Sequence, residues 1–330
     1  MSIWQSLARK VLKGEELSDQ EALSVLECPN DQLLNLLDSA YQVRKQYYGN
    51  KVKLNMIINT KSGLCPENCG YCAQSRDSTA PIEKYRMMDK ETIVQGAKRA
   101  HERKAGTYCI VASGRGPSKR ELATVTSAVE EIKQHYNIKV CACLGLLEPE
   151  QADQLKEAGV ERYNHNINTS ENHHDYITTS HSYYDRVATV NAAKTAGISP
   201  CSGVIVGMKE KKEDVIEMAR ALRELNADSI PINFLHAIDG TLLEGTNELT
   251  PTYCLKVLCL FRFINPTKEI RISGGREVNL RSLQSFGLYP ANSIFIGDYL
   301  TTEGQAHLQD YKMIEDLGFE IDYVTTEEFV

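Results

Sequence analysis

Hydrophobic positions follow two different periods along most of the chain. From residue 51 onward, short runs rich in Val, Ile and Tyr alternate with longer runs in which apolar residues recur every three or four positions. The first pattern predicts buried β-strands and the second predicts amphipathic helices. Helical stretches include residues 90–104, 119–136 and 214–225. The predicted strands lie near residues 54–60, 107–113, 138–144, 161–167, 201–206, 228–233, 269–273 and 292–296.

Eight successive β-then-α units predict an α/β protein with a single (β/α)8 barrel of the TIM type. An open, doubly wound sheet is the structural alternative. Residues 1–50 predict helices instead, and Ser18 and Glu21 have the spacing of a capping box. We therefore expect an N-terminal helical extension over residues 1–50, the barrel over residues 51–320 and a C-terminal tail over residues 321–330.

Charge and apolar content narrow the class of protein. The net charge is −7 and no long Lys/Arg run is present, which disfavours a nucleic-acid partner. No apolar stretch approaches the roughly 18 residues of a membrane span, and the first ten residues lack the apolar segment of a signal peptide. We therefore expect a cytoplasmic protein with no membrane partner. In that reducing compartment, the ten cysteines are better explained as metal ligands or core residues than as disulfides.

Three cysteines follow the first predicted strand directly. Cys65, Cys69 and Cys72 have C-x3-C-x2-C spacing, and Pro66 and Gly70 allow the loop to turn so that the sulfurs converge. A structural zinc ion prefers four protein ligands, whereas a [4Fe–4S] cluster held by three cysteines keeps one iron open for an outside ligand. The spacing therefore predicts an open cluster at the end of a barrel strand, where barrel active sites lie. A zinc site that borrows a distant fourth ligand is the alternative.

A second set of cysteines is spread over different predicted strands. Cys109, Cys141 and Cys201 each lie on a strand of their own, and one cysteine per strand can point into a barrel. The alternative is that they are ordinary buried residues. Cys143 lies two positions after Cys141, so it faces the same way and spacing alone does not choose between them. The cysteines assigned to predicted helices are interpreted as core or surface thiols: Cys28, Cys254 and Cys259.

Asparagines alternate along the fourth predicted strand. Asn164, Asn166 and Asn168 can therefore share one face of it. Amides offer both donors and acceptors, which suits neutral groups such as a cyclic urea or ribose hydroxyls. A polar strand end exposed to solvent is the alternative. His165 falls between the asparagines, so we expect it to face the helices as a structural residue.

The C-x3-C-x2-C loop resembles that of the radical S-adenosylmethionine family. The segments 163–169, 200–203, 230–233, 271–277 and 291–297 narrow the resemblance to the biotin synthase family, over about residues 50 to 320. That resemblance implies a sulfurtransferase that completes biotin biosynthesis. Sulfur from a [2Fe–2S] cluster is inserted between the methyl and ring methine carbons of dethiobiotin, using S-adenosylmethionine cleaved at a [4Fe–4S] cluster.

The resemblance also implies roles for individual residues, with no catalytic side chain beyond the clusters. Cys65, Cys69 and Cys72 would hold the [4Fe–4S] cluster. Cys109, Cys141, Cys201 and Arg271 would hold the [2Fe–2S] cluster. S-adenosylmethionine would lie near Tyr71, Asn166, Asn168 and Arg186. Dethiobiotin would lie near Asn164, Asn166 and Asn233.

Two of these assignments raise a chemical question. A guanidinium is protonated and has no free acceptor, so Arg271 as a ligand requires a metal that stabilises a deprotonated nitrogen. A buried salt bridge is the alternative for Arg271. Asn168 stands where the family commonly has Asp, and an amide accepts hydrogen bonds without carrying the charge of a carboxylate.

The resemblance implies partners as well. They are a reducing electron-transfer protein of the flavodoxin or ferredoxin type, the iron–sulfur assembly machinery and a second copy in a homodimer. Another radical enzyme with one cluster is the nearest functional alternative. A zinc-binding or electron-transfer protein without turnover is the alternative from a different class. One cluster per chain after anaerobic reconstitution would favour the first alternative, and zinc without acid-labile sulfide would favour the second.

Overall fold

The computed structural model describes residues 2–323. Its strands are β1 (Lys51–Lys61), β2 (Thr107–Ala112), β3 (Lys139–Cys143), β4 (Arg162–Asn164), β5 (Ser199–Cys201), β6 (Val204–Val206), β7 (Ser229–Phe234), β8 (Glu269–Ile272), β9 (Ser293–Phe295) and β10 (Glu320–Ile321). Its α-helices are α1 (Ile3–Leu12), α2 (Asp19–Leu26), α3 (Leu33–Tyr48), α4 (Lys90–Glu102), α5 (Lys119–His135), α6 (Pro149–Glu157), α7 (His174–Ile177), α8 (Tyr183–Thr195), α9 (Lys212–Glu224), α10 (Pro251–Ile264), α11 (Arg276–Leu280) and α12 (His307–Asp316).

The sheet closes on itself. Strands β1 to β5 pair in chain order, β7, β8 and β9 follow, and β9 pairs with β1, all in parallel. Strand β6 pairs with β7 beyond the end of β5, while β10 adds to β1. The predicted (β/α)8 barrel is confirmed, and the open sheet is wrong. Of the predicted tail, Ile321 belongs to β10 and residues 324–330 lie outside the described residues.

Two predicted strands are shorter than expected. The run at 201–206 is interrupted at Ser202 and Gly203. An ideal Cβ on Gly203 would lie 1.9 Å from the carbonyl oxygen of Pro231, so the position requires glycine. The fourth strand ends at Asn164 rather than near residue 167. Asn168 has a φ of 69°, in the left-handed region that Asn tolerates, and forms an isolated bridge with Val204. The expected alternation of three asparagines along one strand is therefore wrong.

The N-terminal helices cover the outside of the barrel at α10. That helix is apolar almost all round, and 11 of its 14 residues are buried. It packs on the barrel on one side and on α1, α2 and α3 on the other, which removes both faces from water. In residues 2–323, no helix combines the length and apolarity needed to cross a bilayer.

Candidate active site

A cavity of about 390 Å³ opens at the carboxyl ends of the strands and reaches into the barrel. Near its mouth it is lined by three cysteines, which we call the mouth cysteines: Cys65, Cys69 and Cys72. The other predicted site residues that line it are Tyr71, Cys109, Asn164, Asn166, Asn168, Arg186, Asn233 and Arg271. The cavity is thus lined by residues that were predicted to hold the two clusters, S-adenosylmethionine and dethiobiotin.

The mouth cysteines lie on a tightly turned loop that follows β1. Gly63 and Leu64 both have positive φ, and the Cys72 amide donates to the Cys69 carbonyl over 3.1 Å, which curls the chain around the three sulfurs. Burial raises the pKa of Cys65 and raises that of Cys72 to about 12. Metal binding at this loop must therefore release protons.

Two residues inside the cysteine motif brace this loop against the segment before α8. The Glu67 carboxylate accepts from the Ser180 hydroxyl at 2.6 Å and contacts Nδ1 of His181 at 2.5 Å. Burial acts to raise the pKa of Glu67, but hydrogen bonds from Ser180, His181 and Arg115 outweigh it, so the pKa is lowered. Asn68 Oδ1 accepts three further hydrogen bonds from residues 178–180. Sequence reasoning missed this brace, although its Glu and Asn stand inside the C-x3-C motif.

Three further thiols meet deeper in the barrel. We call Cys109, Cys141 and Cys201 the deep cysteines. Cys109 and Cys141 are opposite each other on β2 and β3, and Cys201 is opposite Asn164 on β5 and β4. Cys109 and Cys141 also pack in one buried cluster, and the neighbouring Cys109 and Cys201 thiols together with burial raise the pKa of Cys141. The neighbouring Cys141 thiol, together with the charges of Arg271 and Arg162, outweighs burial and lowers the pKa of Cys201 to about 6.

Arg271 lies fully buried beside the deep cysteines. Its Nη2 donates to Glu269 Oε1 at 2.6 Å, so the buried salt bridge considered as an alternative is present. Burial acts to lower the pKa of Arg271, but Glu269, Cys201 and Cys109 outweigh it and raise the pKa. The salt bridge and proximity to the thiols therefore coexist in one guanidinium. A ligand role would require a metal that displaces one of its protons.

A continuous series of polar contacts joins the deep cysteines to the mouth. Asn164 Nδ2 lies 3.3 Å from the Cys201 sulfur and 3.1 Å from Asn166 Oδ1. The Asn166 carbonyl accepts from Arg186 Nη1 at 2.9 Å, and Arg186 Nη2 lies 3.9 Å from the Cys69 sulfur. Asn164, Asn166 and Arg186 thus form a polar wall between the two groups of thiols.

The remaining predicted amides occupy opposite ends of this wall. With its amide oxygen facing the available donors, Asn168 accepts from the Tyr71 hydroxyl at 2.5 Å and from both terminal nitrogens of Arg186 at 3.1 and 3.2 Å. Asn233 is engaged with backbone: its Nδ2 donates to the Val204 carbonyl, and its Oδ1 accepts from the Gly274 amide. Asn233 is therefore held in place before any substrate binds.

Cys143 lines the same cavity, but in the sheet it is opposite Val111, whereas Cys141 is opposite Cys109. Burial raises the pKa of Cys143 to about 12, and Cys109 and Cys201 act on it by charge alone. The geometry thus favours Cys141 over Cys143 as the third deep thiol. His165 also lines the cavity, and burial together with the nearby Arg186 and His181 lowers its pKa.

The two cysteine groups fit iron–sulfur clusters better than zinc. Among residues 2–323, no group of three His, Cys, Asp or Glu side chains is arranged to hold one metal ion. A cluster is bound through thiolates on separate irons, so its ligands need not converge on a single point. Each group supplies three thiols, and Arg271 stands beside the deep group. The donor chemistry therefore fits one open cluster at the mouth and a second cluster below it.

A (β/α)8 barrel with an open three-thiol loop at its mouth defines a radical S-adenosylmethionine enzyme. Residues 60–222 match the Radical SAM superfamily, and residues 231–320 match the Biotin and Thiamin Synthesis associated domain. The chain is 71% identical over 320 residues to the biotin synthase of Anoxybacillus flavithermus, covering 97% of each chain. It is 67% identical over 324 residues to that of Bacillus subtilis (strain 168), covering 98% of this chain and 97% of the relative. The chain belongs to the biotin synthase family. Its cofactors are S-adenosylmethionine, a [4Fe–4S] cluster and a [2Fe–2S] cluster.

Solved structures share the barrel at low sequence identity. Methylornithine synthase (PylB) superposes with a TM-score of 0.84 at 20% identity, covering 98% of both chains. The FeFe-hydrogenase maturase HydG from Carboxydothermus hydrogenoformans gives a TM-score of 0.81 at 18% identity, covering 98% of this chain and 80% of its own. These likenesses support the fold alone, since the reactions of the two proteins differ.

Proposed function

We propose that this chain inserts sulfur into dethiobiotin, between its methyl and ring methine carbons, with two cysteine groups in separate roles. The mouth cysteines hold the [4Fe–4S] cluster. The deep cysteines and Arg271 hold the [2Fe–2S] cluster, which is the sulfur donor. The observation that carries the proposal is the placement of two thiol groups at two depths of one barrel, joined by the polar wall, with Cys109 and Arg271 of the deep group lining the same cavity as the mouth cysteines.

When bound, the [4Fe–4S] cluster supplies the electron that cleaves S-adenosylmethionine. The protein's own part is position and exclusion of water. Tyr71, Asn168 and Arg186 surround the space next to the mouth cysteines, where hydroxyls of a nucleoside would find donors and acceptors. Asn164, Asn166 and Asn233 bring amides into the space beneath it, which suits the ureido ring of dethiobiotin. The substrate then lies between the two groups of thiols.

The partners follow from the same proposal. A reducing protein of the flavodoxin or ferredoxin type would supply electrons to the [4Fe–4S] cluster held by the mouth cysteines, of which Cys65 is partly exposed. Iron–sulfur assembly machinery renews the [2Fe–2S] cluster, because its sulfide is consumed. The chain acts in the cytoplasm as a homodimer.

The test separates the two cysteine groups. The protein is reconstituted anaerobically and its iron, acid-labile sulfide, S-adenosylmethionine cleavage and biotin formation are measured. Cys69→Ala should abolish cleavage. Cys201→Ala should retain cleavage but lose the [2Fe–2S] absorption and biotin formation.

The matched control is Cys254→Ala, because Cys254 is a buried thiol on α10, outside the barrel interior. It should retain both clusters and biotin formation. A Cys201→Ala protein that forms biotin at the native rate would show that the deep cysteines do not hold the sulfur donor.

A further inference from the structure

A group of charged side chains lies inside the barrel at the level of the deep cysteines and below them. We call Lys53, Arg162, Glu269 and Arg271 the charged floor. Glu269 is at its centre and is 2% exposed. Its Oε1 pairs with Arg271 at 2.6 Å, while its Oε2 lies 2.9 Å from Arg162 Nη1 and 3.5 Å from Lys53 Nζ. One carboxylate is thus shared by three cations.

Glu269 and two serines orient the Arg271 guanidinium through hydrogen bonds. Nη2 donates to Glu269 and, at 2.8 Å, to the Ser229 hydroxyl, while Nε lies 3.3 Å from the Ser293 hydroxyl. Both serine hydroxyls also donate to Glu269 Oε1 at 3.0 Å, so the carboxylate orders the serines as well. Within residues 2–323, Nη1 has no hydrogen-bond partner, and Arg271 lines the cavity. The free terminal nitrogen is therefore the one left for the cluster.

The second carboxylate oxygen of Glu269 offsets the electrostatic repulsion between the guanidinium groups of Arg162 and Arg271. Arg162 and Arg271 are both buried and both act on Cys201 by charge. Without the carboxylate, two buried cations would face each other unpaired, which is strongly unfavourable. Arg271 would then turn away from Arg162, and the serines would lose their common acceptor.

We propose that Glu269 is a positioning residue for the [2Fe–2S] site: it fixes Arg271 with Nη1 toward the deep cysteines and offsets the charge of Arg162. This inference rests on the proposed assignment of that cluster to the deep cysteines and Arg271. It concerns a residue that touches neither cluster nor substrate. Its effect must therefore pass through Arg271.

The experiment measures how fast the [2Fe–2S] cluster is lost to a chelator from anaerobically reconstituted protein, together with its Mössbauer spectrum. Glu269→Gln keeps the size of the side chain and removes its charge. Partners that orient metal ligands typically change metal affinity about 10–100-fold when mutated, so release should accelerate by about that factor. The [4Fe–4S] spectrum should not change. A native release rate and native [2Fe–2S] spectrum in Glu269→Gln would overturn the proposal.

A double-mutant cycle tests whether the effect passes through Arg271. In an Arg271→Met background, Glu269→Gln should change the release rate less than about twofold, because no guanidinium remains to be oriented. An equal acceleration in both backgrounds would overturn the positioning role. Arg162→Gln/Glu269→Gln removes one charge of each sign, which protects folding. It should release the cluster more slowly than Glu269→Gln but faster than the native protein, because Arg271 no longer faces an unpaired Arg162 yet still lacks its carboxylate partner.

A matched control comes from another buried ion pair. Arg276 Nη1 lies 2.6 Å from Asp310 Oδ1, and the two side chains are 1% and 0% exposed. Asp310→Asn should lower the stability of the protein without accelerating [2Fe–2S] release. A [2Fe–2S] signal that persists in Cys201→Ala would overturn the cluster assignment and this inference together. Loss of that signal with native release in Glu269→Gln would overturn only the role of Glu269.

Discussion

The Asn168 amide accepts hydrogen bonds from Tyr71 and Arg186 at once, at 2.5 Å from the hydroxyl and at 3.1 and 3.2 Å from the guanidinium nitrogens. Tyr71 stands inside the cysteine motif, and Arg186 belongs to α8. One amide therefore joins the loop of the mouth cysteines to the opposite wall of the cavity. Its positive φ restricts the position to residues that tolerate the left-handed region, chiefly Asn, Asp and Gly.

Asn168→Gly should weaken S-adenosylmethionine binding about tenfold, because it removes a shared acceptor worth about 1–2 kcal/mol without adding backbone strain. Asn168→Asp should bind at least as tightly as the native protein, since a carboxylate accepts the same bonds with charge. Anaerobic equilibrium binding measures both Kd values. Native affinity in Asn168→Gly would show that this amide does not shape the site.

Cys143→Ala should retain both clusters, whereas Cys141→Ala should lose the [2Fe–2S] cluster. Cys141 is opposite Cys109 in the sheet, whereas Cys143 is opposite Val111, and burial raises the pKa of Cys143 to about 12. Iron, sulfide and visible absorption after anaerobic reconstitution give the comparison. The reverse outcome would exchange the two residues in the assignment.

Acid should destabilise the fold through its buried histidines. Burial lowers the pKa of His174 to about 4, and burial also lowers those of His165 and His181. Unfolded histidines titrate near 6.5. Between about pH 6.5 and 4, the unfolded chain therefore binds more protons than the folded protein. The free energy of unfolding then decreases as the pH is lowered, by up to about 1.4 kcal/mol per pH unit for each such histidine.

Denaturant unfolding at pH 7, 6 and 5 measures this slope. His174→Phe should reduce it, because the ring is kept and its titration is removed. His135→Asn, at an exposed position on α5, should keep the native slope. An unchanged slope in His174→Phe would mean that His174 is charged in the folded protein.

Gly203→Ala should destabilise the barrel by about 1–3 kcal/mol or more, because the new methyl group overlaps the Pro231 backbone. Thermal unfolding measures the loss. Gly106→Ala is the matched control: the nearest atoms to its Cβ are 3.7 and 3.8 Å away, in ordinary contact. A Gly203→Ala protein as stable as Gly106→Ala would show that β5 and β6 can separate from β7 at little cost.

Much of the architecture could be predicted from local pattern. The order of strands and helices follows from the spacing of apolar residues, which is a local property of each segment. The mouth cysteines were predicted for the same reason, since they are close in sequence. The end of β4 could not be predicted, because the left-handed Asn168 that follows it pairs with Val204, a residue distant in sequence.

The sequence by itself therefore determined the (β/α)8 class, the family and the residue types that bind clusters. Only the tertiary structure decided which of Cys141 and Cys143 meets the other deep thiols, and that Glu67 braces the mouth while Glu269 holds Arg271. Glu67 and His181 are more than a hundred positions apart in sequence. Cys141 and Cys143 are neighbours on one strand, but the residues opposite them belong to other strands. These contacts depend on strand register and on the tilt that closes a barrel. Neither quantity can be predicted from the local sequence of a single segment.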